Sequence, residues 1–272
     1  MASLDELARE QAVLAALRSS GRVSIQELAG KFGVSAVTVR KDLDALARRQ
    51  LLRRVRGGAV SVGATDEGSF DGRLRQAVAA KAAIARAAAR LVRDGDVIAM
   101  DASTTCYHLA RELLHRRDLV VVTNGLRAAT LLMAKSDATV MMPGGILRRS
   151  SGSLIAPVGD VLTGRGRIRL GFFGVVGLST SRGLLDISAG EAQTKQHLVN
   201  ACDEVHGVFD SSKADGFGLH TFAGPGQITG LWTDEGLDPA VTATWAAVGV
   251  PVTTVRVDHT LVTPFPLTGE VG

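Results

Sequence analysis

Ser24-Ile-Gln-Glu27, Phe32-Gly-Val34, Ser35-Ala-Val-Thr-Val-Arg-Lys-Asp-Leu43 and Leu51-Leu-Arg-Arg-Val-Arg-Gly-Gly-Ala59 follow one another along the chain, and together they decide its fold. Ser24 with Glu27 three residues later is a capping box, in which each side chain satisfies a backbone N–H freed at a helix start. Ile25, Leu28 and Phe32 supply the inward face of that short helix. Gly33 can take the left-handed backbone of a tight interhelical turn, and Ser35 is placed to cap the next helix. The basic run that follows reads as a β-hairpin wing. The order predicts a winged helix-turn-helix, which seats one helix in the major groove of double-stranded DNA.

Upstream, Leu4, Leu7, Val13, Leu14 and Leu17 recur at helical spacing and predict a first amphipathic helix ending near Gly21. In the third helix, 100° per residue gathers Val39, Leu43 and Leu46 on the buried side. Val37, Thr38, Lys41 and Ala45 then face away, with Ser35 at the exposed start and Arg40 on the flank. Arg and Lys can hydrogen-bond guanine, and Val37 can meet a thymine methyl. Arg53, Arg54 and Arg56 fall on the wing, where cations meet phosphates. The bland alternative is a three-helix packing module with a solvated cationic face. Charge favours the reader: residues 1–60 carry 11 Lys and Arg against 6 Asp and Glu, and the remainder 20 against 21.

Length and composition bound the rest. With 272 residues, 46% hydrophobic and 21% charged, the chain can form two domains with full cores. No apolar run approaches the roughly 18–20 residues that cross a bilayer, so no membrane partner is expected. The start of the sequence lacks a signal-peptide pattern, and Cys106 and Cys202 lack ligand spacing. A cytoplasmic protein with reduced thiols is expected. The six histidines show no zinc-type spacing and no phosphate-binding Gly-Lys loop occurs, so neither a metal nor a cofactor is expected.

Residues 61–76 are rich in Gly, Ser, Asp and Thr and read as a linker between a DNA-binding domain, residues 1–60, and an α/β domain, residues 77–272. From residue 77, helices alternate with apolar strands. Strands are expected at 97–100, 119–123, 139–142, 172–176, 205–209, 230–233 and 252–257. Helices are expected at 77–91, 105–114, 126–134, 190–201 and 239–247. Near-continuous apolar strands between helices predict a mostly parallel, Rossmann-like sheet covered on both faces.

Polar residues gather where those strands end: Asp101-Ala-Ser-Thr-Thr105, Thr123-Asn-Gly125, Pro143-Gly-Gly145, Gly174-Val-Val-Gly-Leu-Ser179 and Asp210-Ser-Ser-Lys213. Open α/β sheets bind ligands beyond the carboxyl ends of their strands. Small hydroxylated residues at a helix start offer donors to an anion. Ser103, Thr104 and Thr105 are therefore the candidate phosphate cradle, with Lys195 or Lys213 as countercharge. Asp101, Asn124, Gly144, Gly145 and Glu191 complete the candidate effector site. Each loop taken singly is also an ordinary turn.

Two sets of residues resemble the DeoR family of transcriptional regulators. The first is Arg9, Val13, Leu17, Ser35, Thr38 to Leu43 and Arg56 to Ala59. The second includes Arg73, Lys81, Asp101 to Thr105, Thr123, Asn124, Gly144, Gly145, Gly174 to Ser179, Gly183, Glu191, Lys195 and Asp210 to Lys213. The resemblance implies an effector domain like the sugar-phosphate isomerases, which senses a phosphorylated sugar or related anionic metabolite and alters operator affinity. It further implies a repressor of carbohydrate use that works as a homo-oligomer. Lys41 stands where the family more often has Arg, which favours phosphate contact over bidentate base reading. Ser103 stands where the family usually has Gly.

The rival expectation is an isomerase acting on a phosphosugar, with Glu191 and Lys195 at the centre and Asp101 or Asp210 assisting. Against it, the isomerases resembled carry an acidic Asp-Gly-Ala-Asp-Glu-type run where this chain has Phe173-Gly-Val-Val-Gly177. A surface ion pair between Glu191 and Lys195, four apart on a helix, is the plainest reading of those two residues.

Overall fold

The computed structural model describes residues 4–49, 51–55, 57–61, 69–155, 167–216 and 218–258. The amino-terminal part runs α1 (Leu4–Ser20), β1 (Arg22–Ser24), α2 (Ile25–Phe32), α3 (Ala36–Arg48), β2 (Leu52–Val55) and β3 (Gly58–Ser61). Both halves of the Ser24 capping box form: Glu27 N donates to Ser24 Oγ at 3.1 Å, and Ser24 N to Glu27 Oε2 at 3.3 Å. Gly33 takes φ 64°, and Ser35 caps α3 by accepting from Thr38 N at 3.1 Å. Val13, Leu17, Val23, Ile25, Leu28, Val39, Leu43, Leu46 and Leu52 make one core. The three strands pair antiparallel in the order β1-β3-β2. A Cβ on Gly58 would meet the Val23 carbonyl oxygen at 2.0 Å, so β3 can lie against β1 only with glycine there.

Two details differ from expectation. Leu7 is exposed, and Glu10 takes the inward place on α1, where Arg49 pairs with it at 2.6 Å. Asp42 on α3 is buried and paired with Arg9 at 2.9 Å. Hydrophobic spacing alone cannot reveal such paired charges in a core.

The second part runs α4 (Phe70–Leu74), α5 (Val78–Ala88), β4 (Val97–Met100), α6 (Thr104–Glu112), β5 (Val120–Thr123), α7 (Leu126–Lys135) and β6 (Thr139–Met141). A hairpin follows, β7 (Ile146–Arg148) with β8 (Ser153–Ile155), then β9 (Ile168–Phe173), β10 (Gly177–Ser179) and β11 (Gly183–Asp186). The chain continues with α8 (Ala189–Asn200), β12 (Cys202–Val208), β13 (His220–Ala223), β14 (Gly230–Asp234), α9 (Pro239–Ala247) and β15 (Val252–Val255). Seven strands form one parallel sheet in the order β15-β14-β12-β9-β4-β5-β6. From β4 the chain winds one way through β5 and β6, and from β9 it winds the other way. The switch point lies between these adjacent strands, where a doubly wound sheet opens its binding crevice.

Alternate strand residues feed two cores. Ile98, Met100, Val121 and Phe172 pack with α5, α6 and α7 on one face; Ala99, Val122 and Phe173 pack with α8 and α9 on the other. The parallel sheet and its helices follow the sequence reading, with the strand expected at 172–176 lying instead at Ile168–Phe173. The β7–β8 hairpin and a small antiparallel sheet, β10-β11-β13, were not foreseen. The stretch read as a linker also ends in structure: Ser69 caps α4, and Phe70 is buried against Tyr107 of α6 with ring centroids 5.7 Å apart.

Candidate functional site

At the switch point, β4 and β9 end in Asp101 and Gly174. Asp101 is fully buried, accepts from Ser103 N at 3.0 Å and from Gly174 N at 2.9 Å, and so ties the two strand ends together. Ser103 Oγ accepts from Cys106 N at 3.1 Å and caps α6. The same arrangement recurs on the opposite face: Asp186 Oδ1 accepts from Ser188 N at 2.9 Å, and Ser188 caps α8. Lys195 joins the two halves. Its ammonium lies 2.8 Å from Asp101 Oδ2, 2.8 Å from Asp186 Oδ2 and 3.0 Å from the Gly174 carbonyl. Burial pushes the Asp101 carboxyl upward, but Lys195 and the Ser103 hydrogen bond outweigh it and hold the pKa below the ordinary 3.8.

Between the starts of α6 and α8 lies a pocket open to solvent. Ser103, Thr104 and Thr105 line one wall and Ile187, Ser188 and Glu191 another. Two helix N-termini thus present backbone N–H groups and positive dipole ends to one space. Arg73, Lys81, Arg148, Lys195 and Lys213 line it as cations, against Asp186, Glu191 and Asp210. Lys81 is buried, donates to the carbonyls of Arg73 and Gln76 and stands 4.0 Å from Asp210 Oδ2. Lys213, on a single 3₁₀ turn after β12, is half exposed and has no side-chain partner among the described residues.

Glu191 is not half of a surface pair with Lys195, because both side chains are buried. Glu191 Oε1 accepts from Arg148 at 2.9 Å, from Ser151 at 3.0 Å and from Ser153, while Asn124 Nδ2 approaches Oε2 at 3.4 Å. Asn124 lies behind the pocket wall and positions Glu191. Gly144 and Gly145 are exposed and do not line the pocket, since they follow β6 at the sheet edge, two strands from β4. Sequence reasoning missed Arg148, Ser151, Ser153, Asp186 and Ser188. The repeat of Asp101-Ala-Ser103 as Asp186-Ile-Ser188 was a usable signal. Cys106 stands at the start of α6, yet burial and then Asp101 raise its thiol well above 9.0, so it is no nucleophile.

The second surface is on α3. Ser35, Val37, Arg40 and Lys41 are exposed and Thr38 is half-buried. Arg54 is less free: Nε donates to Asp44 at 2.7 Å and Nη1 to the Gly58 carbonyl at 2.5 Å, bracing the wing against α3. Arg56 lies outside the described residues, as does the side chain of Arg53. Among the described residues, no cluster of His, Cys, Asp or Glu could hold a metal, and no helix is long and apolar enough to cross a membrane.

A helix-turn-helix reader on one chain with a switch-point pocket defines a two-part transcriptional regulator. Residues 9–65 match the DeoR-like helix-turn-helix domain and residues 76–235 the DeoR C terminal sensor domain; the chain belongs to the DeoR family. It is 30% identical over 221 residues to the glycerol-3-phosphate regulon repressor of Escherichia coli (strain K12), covering 81% of this chain and 86% of that protein. It is 28% identical over 232 residues to a putative aga operon transcriptional repressor of Escherichia coli O157:H7, covering 84% and 86%. The ribose 5-phosphate isomerase A structure from Methanocaldococcus jannaschii aligns with a TM-score of 0.38 at 18% identity, over 49% of this chain and 53% of that one.

Proposed function

We propose that the protein represses a carbohydrate-use operon and releases its operator when a phosphorylated sugar or similar anion fills the switch-point pocket. One observation carries the effector reading: two capped helix N-termini and five cationic side chains converge on a space lined by only three carboxylates. The backbone N–H groups of Thr104 and Thr105, with Lys213, take the phosphate. Glu191, Arg148 and Ser151 face the hydroxylated end of the ligand. On α3, Ser35, Val37, Thr38, Arg40 and Lys41 face the duplex, with Arg54 and Arg56 on the wing. The working form is a cytoplasmic homo-oligomer reading paired half-sites. The names of the two repressors above, one for glycerol 3-phosphate and one for the aga operon, support the same reading.

The pocket binds without turning over. A general base needs an unencumbered carboxylate. Asp101 and Asp186 neutralise Lys195, Asp210 accepts from Ser212 beside Lys81, and Glu191 accepts from Arg148 and two serines. By linkage, an effector weakens operator binding by its differential affinity for the two states, typically ~1–3 kcal/mol. A thermal-shift screen against phosphosugars, paired with operator binding, tests this. Stabilisation with operator release is expected; steady isomerisation of any of those sugars would establish an enzyme instead.

A further inference from the structure

We infer that α4 is the latch through which the pocket acts on the DNA-binding part, fastened at its C-terminal end by Lys81 and at its N-terminal end by Ser150. This rests on the pocket reading above. In sequence, α4 is the first described element after β3, so it stands next in line to the wing.

Both fastenings come from pocket-lining structure. The ammonium of buried Lys81 donates at 2.7 Å to the carbonyls of Arg73 and of Gln76, which close α4 and the turn after it. Arg73 and Lys81 themselves line the pocket. At the other end, Phe70 N donates to the Ser150 carbonyl at 2.8 Å. Ser150 lies in the β7–β8 turn between Arg148 and Ser151, both of which hydrogen-bond Glu191 in the pocket. The Phe70 ring also lies edge-on to Tyr107 of α6 and 5.6 Å from the Arg127 guanidinium. Just past the C-terminal fastening, Ala77 takes φ 48°, a left-handed backbone unfavourable for a residue with a Cβ. The turn is therefore held in place by its bonds and is poised to relax.

An anion entering beside Arg73 and Lys81 competes with two carbonyls for one ammonium. Each bond those carbonyls lose lets the turn at Ala77 open and α4 lift. Two discrete arrangements of a short element, biased by the ligand, are what coupling between separate sites requires.

The test uses the full chain and has a ligand-free arm. Lys81→Met removes the C-terminal fastening, and Phe70→Ala removes the ring contacts with Tyr107 and Arg127 that seat the N-terminal end while leaving the Phe70 N–H bond to Ser150 in place. Hydrogen exchange over residues 69–78 should quicken in both, and operator affinity without any ligand should change by roughly fivefold or more. Should Lys81→Met fail to fold, Phe70→Ala carries the test alone. A folded variant with quickened exchange and unchanged operator affinity overturns the latch. In the second arm, inorganic phosphate and glycerol 3-phosphate are added to the wild type. Protection over residues 101–106, together with altered exchange over 69–78, supports the latch. Protection at 101–106 with operator release and no change over 69–78 overturns it and spares the pocket. Absence of protection at 101–106 counts against the pocket, and the variants then decide the latch.

Discussion

Asp101 and Asp186 each stand two residues before the cap of a helix, on opposite faces of the sheet, and each places its Oδ2 2.8 Å from the single ammonium of Lys195. The lysine closes the floor of the pocket and fixes the angle between the starts of α6 and α8. Removing its charge leaves two buried carboxylates facing each other. Lys195→Met should cost about 3–5 kcal/mol, measured by denaturant unfolding. Lys213→Met, at a side chain without a described partner, should stay within about 0.5 kcal/mol of the wild type and still lose the anion response. Equal stabilities for the two variants would contradict these assignments.

Acid should weaken the effector domain through His108 before it reaches the carboxylates. Burial first, then the charges of Lys81 and Arg111, lowers the His108 pKa from 6.5 to about 4. The folded state thus holds His108 neutral, and its contribution is complete above the unfolded pKa. It is lost as pH falls from 6.5 through about 4, amounting to about 3 kcal/mol. Asp101 acts lower down: its depressed pKa stabilises the fold above 3.8, and that share disappears as pH falls further. Stability measured against pH in His108→Asn should show a shallower slope between 6.5 and 4, what is left coming in part from buried His206, whose pKa burial also lowers; an unchanged slope would assign it elsewhere.

The β7–β8 hairpin explains what the sequence could and could not show. The parallel strands were legible because each is a near-continuous apolar run, and the helix starts because Ser24, Ser35 and Ser103 are capping residues. Strands of three residues such as β7 and β8 are too short for alternation to register. Arg148, Ser151 and Ser153 reach Glu191 across 38 to 43 positions of sequence, and no local pattern encodes that meeting. Gly144 and Gly145 misled for a related reason. Strand ends look alike in sequence, whereas only the sheet order tells which of them border the switch point.

Arg148 offers a test of that hairpin. Arg148→Ala leaves Glu191 with its serine donors but without a cation. We expect effector affinity to fall at least tenfold, equivalent to about 1.4 kcal/mol, while operator binding without effector is kept. Calorimetric titration with the sugar phosphate that stabilises the wild type would check it. Unaltered affinity would remove the hairpin from the ligand site.

On the DNA side, Arg40 and Arg54 should separate. Arg40 is exposed on α3, so Arg40→Ala should cost about 1–3 kcal/mol of operator binding and relax preference at one base pair. Arg54 is engaged with Asp44 and the Gly58 carbonyl, and its partly exposed pair is worth at most about 1 kcal/mol. Arg54→Ala should therefore loosen the wing and weaken binding to all sequences alike. A change of sequence preference in Arg54→Ala would make it a base reader.

The most direct measurement is the affinity of the full-length protein for DNA from upstream of its own gene at low salt, with and without each of a panel of sugar phosphates. Tight binding that one phosphorylated sugar weakens in the wild type, and does not weaken in Lys213→Ala, is the predicted result. Equal binding to unrelated DNA, or release that persists unchanged in Lys213→Ala, would contradict the coupling of pocket to operator.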